Sequence, residues 1–377
     1  MKNKNILILI ASLNKGGAEK IVSLILKEFD KDKNLNIQLV MMESGIDYEI
    51  PTSIQPKILS TSEKSGIRKL LELPFVAWQL SNYIKENNID VVMSFLYRPN
   101  YVNVMAKFLG AKHKSVINIV STTSRYLNEG IFGRINLFLI RHLFNKSDLI
   151  VSNSYGVSED LKSLIDVTTK TDVIYNPIDI EEINKEKNIC KDIKFDFIKQ
   201  TQYIISVGRL IPLKRNKDLI EAFDTLQKND NNIELIFLGD GLLKDELIEY
   251  CEKLNIQNKV HFLGNVSNPF YYLNNSDLFI LNSELEGLPN VLVEAMAVEL
   301  PVVSSDCKSG PREILVNETY GLLYPVGDIK ILVEKMKIYL YSNIDKEEIK
   351  VKSLTRLQDF DIDKSMAQYK KALDIEE

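Results

Sequence analysis

The chain has 377 residues, 45% hydrophobic and 26% charged, with a formal net charge of −5. That composition excludes a disordered or fibrous protein, and the length predicts about two or three domains. Apolar runs such as Ile6–Leu13 and Leu278–Leu281 fall far short of the roughly 20 residues of a membrane span.

Cys190, Cys251 and Cys307 are far apart, with no C-x-x-C, so neither a disulfide framework nor a zinc site is signalled. His113, His142 and His261 lack metal-ligand spacing, and no metal is expected. The opening Met1-Lys-Asn-Lys-Asn and its short apolar run imitate a signal peptide, but no small-residue cleavage site follows. The expectation is a cytoplasmic chain. Charge is uneven: residues 51–150 carry a balance of +7 inside an acidic protein. Such a region is aimed at something anionic, and no nucleic-acid-binding motif accompanies it. A membrane surface or a diphosphate substrate remains.

In chain order, Asn5–Ala11 is a continuous apolar run, as a buried parallel strand requires. Gly16-Gly17 then turns into a helix over Glu19–Phe29. Ile37–Met41, Val91–Phe95, Ser115–Val120 and Leu149–Ser152 read as strands, with helices over Leu70–Lys85 and Asn100–Phe108. Asn184–Gln202 has no clear period and reads as a linker with a short helix. A second alternation follows. Its strands are Ile204–Val207, Ile233–Leu238, Val260–Leu263, Leu278–Leu281 and Val302–Ser304, and its helices include Lys217–Gln227, Leu242–Leu254, Phe270–Asn275 and Val291–Val298. The pattern predicts an α/β protein of two doubly wound, Rossmann-like parallel sheets.

The second half carries the chemistry. Ser206–Lys214 ends a strand at Gly208 and then offers Arg209 and Lys214, cations at the strand end where open α/β sheets bind ligands. They suit a departing diphosphate, although two surface cations in a loop would read the same way. Gly239-Asp240-Gly241 and Gly264-Asn265-Val266 end the next two strands and offer a floor for a nucleotide base, or are ordinary turns. The strongest element runs from Asn282 to Glu294: Glu286, the turn Gly287-Leu288-Pro289, and a helix from Asn290. A helix start seats phosphate, and Glu294 suits a ribose diol. The plainer reading makes Glu286 and Glu294 capping and surface acids.

Together, Gly208-Arg209-Leu210 with Lys214, the Glu286-x7-Glu294 spacing, and Gly16-Gly17-Ala18-Glu19 resemble the retaining GT-B glycosyltransferases of family four over nearly the whole chain. The resemblance implies two Rossmann-like domains facing a central cleft. Residues 1–178 would bind acceptor, residues 179–357 would bind nucleotide sugar, and a helix over about 358–377 would pack back on the first domain. Arg209 and Lys214 would hold the diphosphate, and Glu294 the ribose. Glu286 and Gly287–Asn290 would meet the donor sugar and phosphate. Gly208 and Val266 would line the donor site, and Gly16-Gly17 would place amides near the reacting phosphate.

Tyr48-Glu-Ile-Pro51, Phe95–Tyr101, Val116–Asn118 with Thr122-Thr123, and Lys308–Glu313 are similar to one subgroup. It comprises the N-acetylgalactosaminyltransferases that extend undecaprenyl-diphosphate-linked saccharides in bacterial N-glycan assembly, with O-antigen and capsule enzymes nearby. This implies a UDP-N-acetylhexosamine donor, an α-linked product on a lipid-linked acceptor, and no cofactor. It also implies a place on the inner face of the plasma membrane. Two positions depart from the family: the His usual near residues 116–121 is absent, and its Lys-Gly is Lys214-Arg215. Arg98, Thr122 and Thr123 are acceptor-side candidates; Arg98 would equally make a structural ion pair. Gly130–Lys146 mixes aromatics with Arg134, Arg141 and Lys146, which suits an anionic lipid interface or a core helix with snorkelling cations. No DxD-type metal motif stands in a suitable place. A non-catalytic binding protein or another hexosyltransferase of polysaccharide synthesis remains the alternative.

Overall fold

The computed structural model describes residues 4–14, 16–59, 67–190, 194–343 and 345–375. They form two compact units. The first is Met1–Pro177 with Asp363–Glu377, and the second is Ile178–Ile362.

The first unit is built on seven strands: β1 (Lys4–Ile10), β2 (Leu35–Met41), β3 (Lys57–Ile58), β4 (Val91–Phe95), β5 (Lys114–Ile119), β6 (Leu149–Ser152) and β7 (Thr171–Val173). Their order is β3-β2-β1-β4-β5-β6-β7. Every pairing is parallel, with Ile6 opposite both Ile37 and Val91. Helices cover both faces of such a sheet, so its central strands read as unbroken apolar runs. On one face Leu7, Leu9, Val92, Ile117 and Ile150 share a core with the helices Leu73–Glu86, Tyr97–Phe108 and Gly130–Leu143. The helix Gly17–Asp30 buries Ile21, Val22, Ile25, Leu26 and Phe29.

The chain returns to this unit with the helix Ile362–Ala372, which buries Met366, Tyr369 and Ala372. It is tied by Lys370 to Asp32 at 2.8 Å, by Lys114 to Asp374 at 2.6 Å, and by Ser365 Oγ donating to the Tyr175 carbonyl.

The second unit has six parallel strands: β8 (Gln202–Val207), β9 (Ile233–Leu238), β10 (Val260–Gly264), β11 (Leu278–Leu281), β12 (Val302–Ser305) and β13 (Leu322–Tyr324). Their order is β10-β9-β8-β11-β12-β13. Ile204, Leu235, Phe237, Ile280 and Val303 pack against Leu219 and Phe223 of the helix Asn216–Gln227 and Leu332 and Met336 of the helix Ile329–Tyr341.

Local departures from the sequence reading have local causes. The single helix expected over Leu70–Lys85 is two, Ile67–Leu71 and Leu73–Glu86. Pro74 sits in the first turn of the second, where its missing N–H costs nothing and a new helix starts. The linker region contains the helix Ile180–Glu186, capped by the Asp179 side chain accepting from the Glu182 N–H. Residues 191–193 of that region lie outside the described residues. The edge strands β3, β7 and β13 are two or three residues long, too short to show any period.

Candidate active site

In each unit the strand order reverses once: between β1 and β4 in the first, and between β8 and β11 in the second. At such a switch point the crossovers diverge to opposite faces and leave a crevice beyond the carboxyl ends of the strands. The sequence-predicted residues gather at these two places.

In the second unit, Gly208 and Arg209 follow β8, while Asn282–Asn290 follow β11. The loop after β8 is held against the turn after β9: the Gly208 N–H donates to the Leu238 carbonyl, and the Leu210 N–H to the Asp240 carbonyl. A Cβ on Gly239 would lie 2.1 Å from the Gly208 oxygen, and one on Gly241 2.3 Å from the Leu210 oxygen. These glycines therefore admit protein backbone, which is a structural reason for a pattern that also suits a nucleotide. Val266 lies just past the edge strand β10, two strands from the switch point.

Arg209 is exposed, and no hydrogen bond or ion pair engages its side chain among the described residues. Lys214 behaves differently. It closes a short 3-10 turn and donates to Glu286 Oε1. The same oxygen accepts from Ser283 Oγ at 2.6 Å, so both bonds fall on Oε1. Ser283 is fully buried, and its carbonyl accepts from Ser305 Oγ at 2.6 Å. Ser283 escaped the sequence reading because a serine two residues past a strand has no distinctive signature. Arg215, where the family has Gly, adopts the left-handed region at φ +45°. That conformation costs a non-glycine residue roughly 1–2 kcal/mol. It is offset by an ion pair to Asp218 at 2.7 Å and by the Asn282 amide donating to the Arg215 carbonyl.

Beyond Glu286, Gly287, Leu288 and Pro289 are buried, and the helix Asn290–Ala297 begins with no side-chain cap. Such a helix start carries a positive dipole end that favours an anion. Glu294 is 7% exposed on this helix. The Lys308–Glu313 segment closes over the turn: a Cβ on Gly310, at φ +78°, would lie 2.5 Å from the Gly287 oxygen and from Pro289 Cδ. Burial, with the Glu286 charge as a second cause, pushes the neighbouring Cys307 thiol up to about 12. It stays protonated at neutral pH and is no nucleophile.

In the first unit, Gly16 precedes the helix Gly17–Asp30 at the end of the β1 loop. Its carbonyl accepts from the Tyr48 hydroxyl at 3.0 Å, and Gly17 is exposed. After β4, Leu96 stands at φ +74°, ψ 158°, a region that costs a non-glycine residue roughly 1–3 kcal/mol. Arg98 Nη1 pairs with Glu43 Oε1 at 2.6 Å, and Lys69 reaches the same carboxylate at 2.8 Å. Burial opposes ionisation of Glu43, but the Lys69 and Arg98 bonds outweigh it and hold the carboxyl below its ordinary value. Of the two readings of Arg98, the ion pair is the one present.

Thr122 and Thr123 have no exposed surface. Thr123 is engaged internally: its hydroxyl meets the Tyr97 hydroxyl at 2.8 Å, and its N–H donates to Asp160. The Thr122 hydroxyl is buried without a partner. Arg125 lies over the rings of Tyr97 and Tyr126.

The helix Gly130–Leu143 settles between its two readings by having two faces. Gly133, Ile140 and Leu143 are buried, while Phe132 and Phe138 are 40% and 60% exposed beside Arg134, Arg141 and Lys146. Those three cations have no ion-pair partner among the described residues. No described helix is long and apolar enough to cross a membrane. No group of three or more His, Cys, Asp or Glu side chains among the described residues is placed to hold a metal ion.

Comparison with known proteins agrees with this layout. The profile "Glycosyl transferases group 1" matches residues 191–353, and "Glycosyltransferase Family 4" matches residues 15–182. The chain is 36% identical over 358 residues, 94% of its length and 95% of the other, to a Campylobacter jejuni protein. That protein is named N-acetylgalactosamine-N,N'-diacetylbacillosaminyl-diphospho-undecaprenol 4-alpha-N-acetylgalactosaminyltransferase. A second Campylobacter jejuni protein, an alpha-1,4-N-acetyl-D-galactosaminyltransferase named for a GalNAc-containing undecaprenol-linked acceptor, is 26% identical over 94% of both chains. Among solved structures, Anabaena HepE in complex with UDP and glucose superposes with a TM-score of 0.80 at 21% identity, covering 98% of this chain and 99% of that one. Two parallel sheets, each with its switch point, and a relative matched nearly end to end place this chain among the group 1 glycosyl transferases of the GT-B fold, and it is a glycosyltransferase.

Proposed function

We propose that this enzyme transfers an N-acetylhexosamine, GalNAc in α linkage, from a UDP-sugar to an undecaprenyl-diphosphate-linked saccharide in bacterial glycan assembly. The observation that carries the donor half is the second unit's switch point, where β8 leads to an exposed Arg209 side chain without an ion-pair partner and the adjacent β11 leads to a helix start without a side-chain cap. The acceptor class and the donor sugar follow the name of the 36% identical relative. UDP as carrier and retention of configuration follow the family resemblance.

In this reading the anomeric C–O bond to the diphosphate breaks as the acceptor oxygen bonds to that carbon. The acceptor's proton passes to the departing phosphate oxygen, on the same face. Arg209, Lys214 and the helix start at Asn290, with the Gly287 and Leu288 backbone before it, stabilise the leaving charge, the work a metal would otherwise do. Glu286 has both its internal bonds on Oε1, which leaves Oε2 for a donor-sugar hydroxyl. Glu294 binds the ribose diol. Gly208 and Val266 line the nucleotide side.

The acceptor's lipid calls for a membrane. The unpaired cations and exposed aromatics of Gly130–Lys146 suit peripheral attachment to an anionic inner leaflet.

The test is UDP release and product mass for a panel of UDP-sugars, with and without an undecaprenyl-diphosphate-linked acceptor, in excess EDTA. The expected result is acceptor-dependent release with UDP-N-acetylgalactosamine and one added N-acetylhexosamine. Release confined to another donor would overturn the sugar assignment. Release restored only by Mg²⁺ or Mn²⁺ would overturn the charge assignment. Absence of transfer to any lipid-linked acceptor would overturn the acceptor class.

A further inference from the structure

The chain has one tryptophan, and it is not in a core: Trp78 is 52% exposed. On the helix Leu73–Glu86, residues Leu73, Val76, Ala77, Leu80 and Ile84 are buried. Phe75 and Trp78 point the other way, with ring centroids 5.9 Å apart, and Phe75 is 58% exposed. Leu71, one turn earlier, is 73% exposed. Phe75 and Trp78, three apart on this helix, share an outward face, and the exposed Leu71 ends the helix before it.

A neighbouring helix extends the patch. Ser81 Oγ and Lys85 Nζ both donate to the Leu109 carbonyl, at 3.1 and 2.9 Å. This brings the exposed Phe108 and Leu109 alongside. Large apolar groups left in water together mark a contact surface.

The surroundings identify the occupant. The helix Tyr97–Phe108 packs against both Leu73–Glu86 and Gly130–Leu143, and all three contribute to one core on one face of the sheet. The apolar stripe and the unpaired Arg134, Arg141 and Lys146 therefore belong to a single outer layer of helices. An exposed tryptophan with aliphatic neighbours, in the same helical layer as unpaired cations, matches an anionic bilayer interface in both polarity and charge.

We propose that Leu71, Phe75, Trp78, Phe108 and Leu109 are the part of this enzyme that enters the lipid interface, with Trp78 at the headgroup boundary. The cations of Gly130–Lys146 supply the electrostatic attraction. This rests on the membrane reading above and adds to it the element that penetrates.

Because Trp78 is the sole tryptophan, the full-length protein reports on itself. The probe is vesicles of equal parts phosphatidylglycerol and phosphatidylcholine, with a parallel set carrying brominated acyl chains. Binding is expected to shift Trp78 emission to the blue, and the bromines are expected to quench it. Phe75→Ser and, by sedimentation, Trp78→Gln are each expected to lower vesicle binding about tenfold or more, with circular dichroism unchanged. Sedimentation with vesicles but no quenching would overturn this proposal and leave the membrane reading standing. Absence of vesicle binding would sink both. A blue shift that follows protein concentration without vesicles would mean a second copy covers the patch, and would also overturn it.

Discussion

The two switch points treat positive charge in opposite ways. In the first unit, Arg98 after β4 and Lys69 both pair with the Glu43 carboxylate. After β8 in the second unit, the Arg209 side chain is exposed and unengaged among the described residues, and the adjacent strand β11 leads to a helix start with no side-chain cap. The buried hydroxyls differ in their partners: Thr123 meets Tyr97 in the first unit, while Ser283 supports the Glu286 carboxylate in the second. Identical topology thus yields two different electrostatic surfaces. Sheet order determines where a crevice lies, and the partners of its side chains determine what it binds.

Acid should separate the units most strongly. His113 Nε2 meets Asn103 Oδ1 at 2.9 Å, while the Asn103 amide donates to Val92 and Ser94, so the ring nitrogen carries the hydrogen. Its other nitrogen is buried without a partner. Burial, helped by the Lys107 charge, holds His113 down to about 4 from an ordinary 6.5. Between those values the unfolded chain binds a proton that the folded unit refuses. Stability is therefore complete above the upper value and falls as pH drops through the window, by roughly 3 kcal/mol. Urea titrations across that range should show the first unit losing this stability, and His113→Gln should flatten the slope. An unchanged slope would remove His113 as its source.

Arg209→Ala is expected to lower kcat/KM by at least roughly a hundredfold, about 2.7 kcal/mol, with Tm nearly unchanged because the side chain is exposed. Lys214→Ala should lose as much activity and also some Tm, because it leaves Glu286 with only Ser283. Near-normal turnover in both would move the diphosphate away from this switch point.

Ser283→Ala should lower kcat about tenfold with little change in KM, since a lost hydrogen bond to a charged group is worth about 1.5–3 kcal/mol. Ser283→Thr should restore part of it. A loss of Tm without the split between kcat and KM would make Ser283 purely structural.

Arg98→Gln carries the smallest expected effect: kcat/KM within about threefold, and a modest fall in Tm as Glu43 keeps only Lys69. A hundredfold loss would break the comparison and put the acceptor's diphosphate at Arg98.

Much of this molecule was legible in the residues. β1, β4, β9 and β11 are apolar runs because both faces of their sheets are covered. The Gly287-Leu288-Pro289 turn and the helix after it were readable because their punctuation is local. Arg98 shows the limit. Its position after a strand was readable, but its partner Glu43 lies 55 residues away, and no periodicity encodes such a pair. Gly239 is similar: its pattern suggested room for a ligand, and the neighbour is the Gly208 backbone.

The sequence by itself determined the two parallel sheets and the family, since these rest on short-range periodicity and turn chemistry. Tertiary structure alone decided which cations stay free, which carboxylate oxygen remains available, and that Trp78 lies outside the core. Those outcomes depend on contacts between segments far apart in the chain, where burial and pairing are set only once the helices have packed.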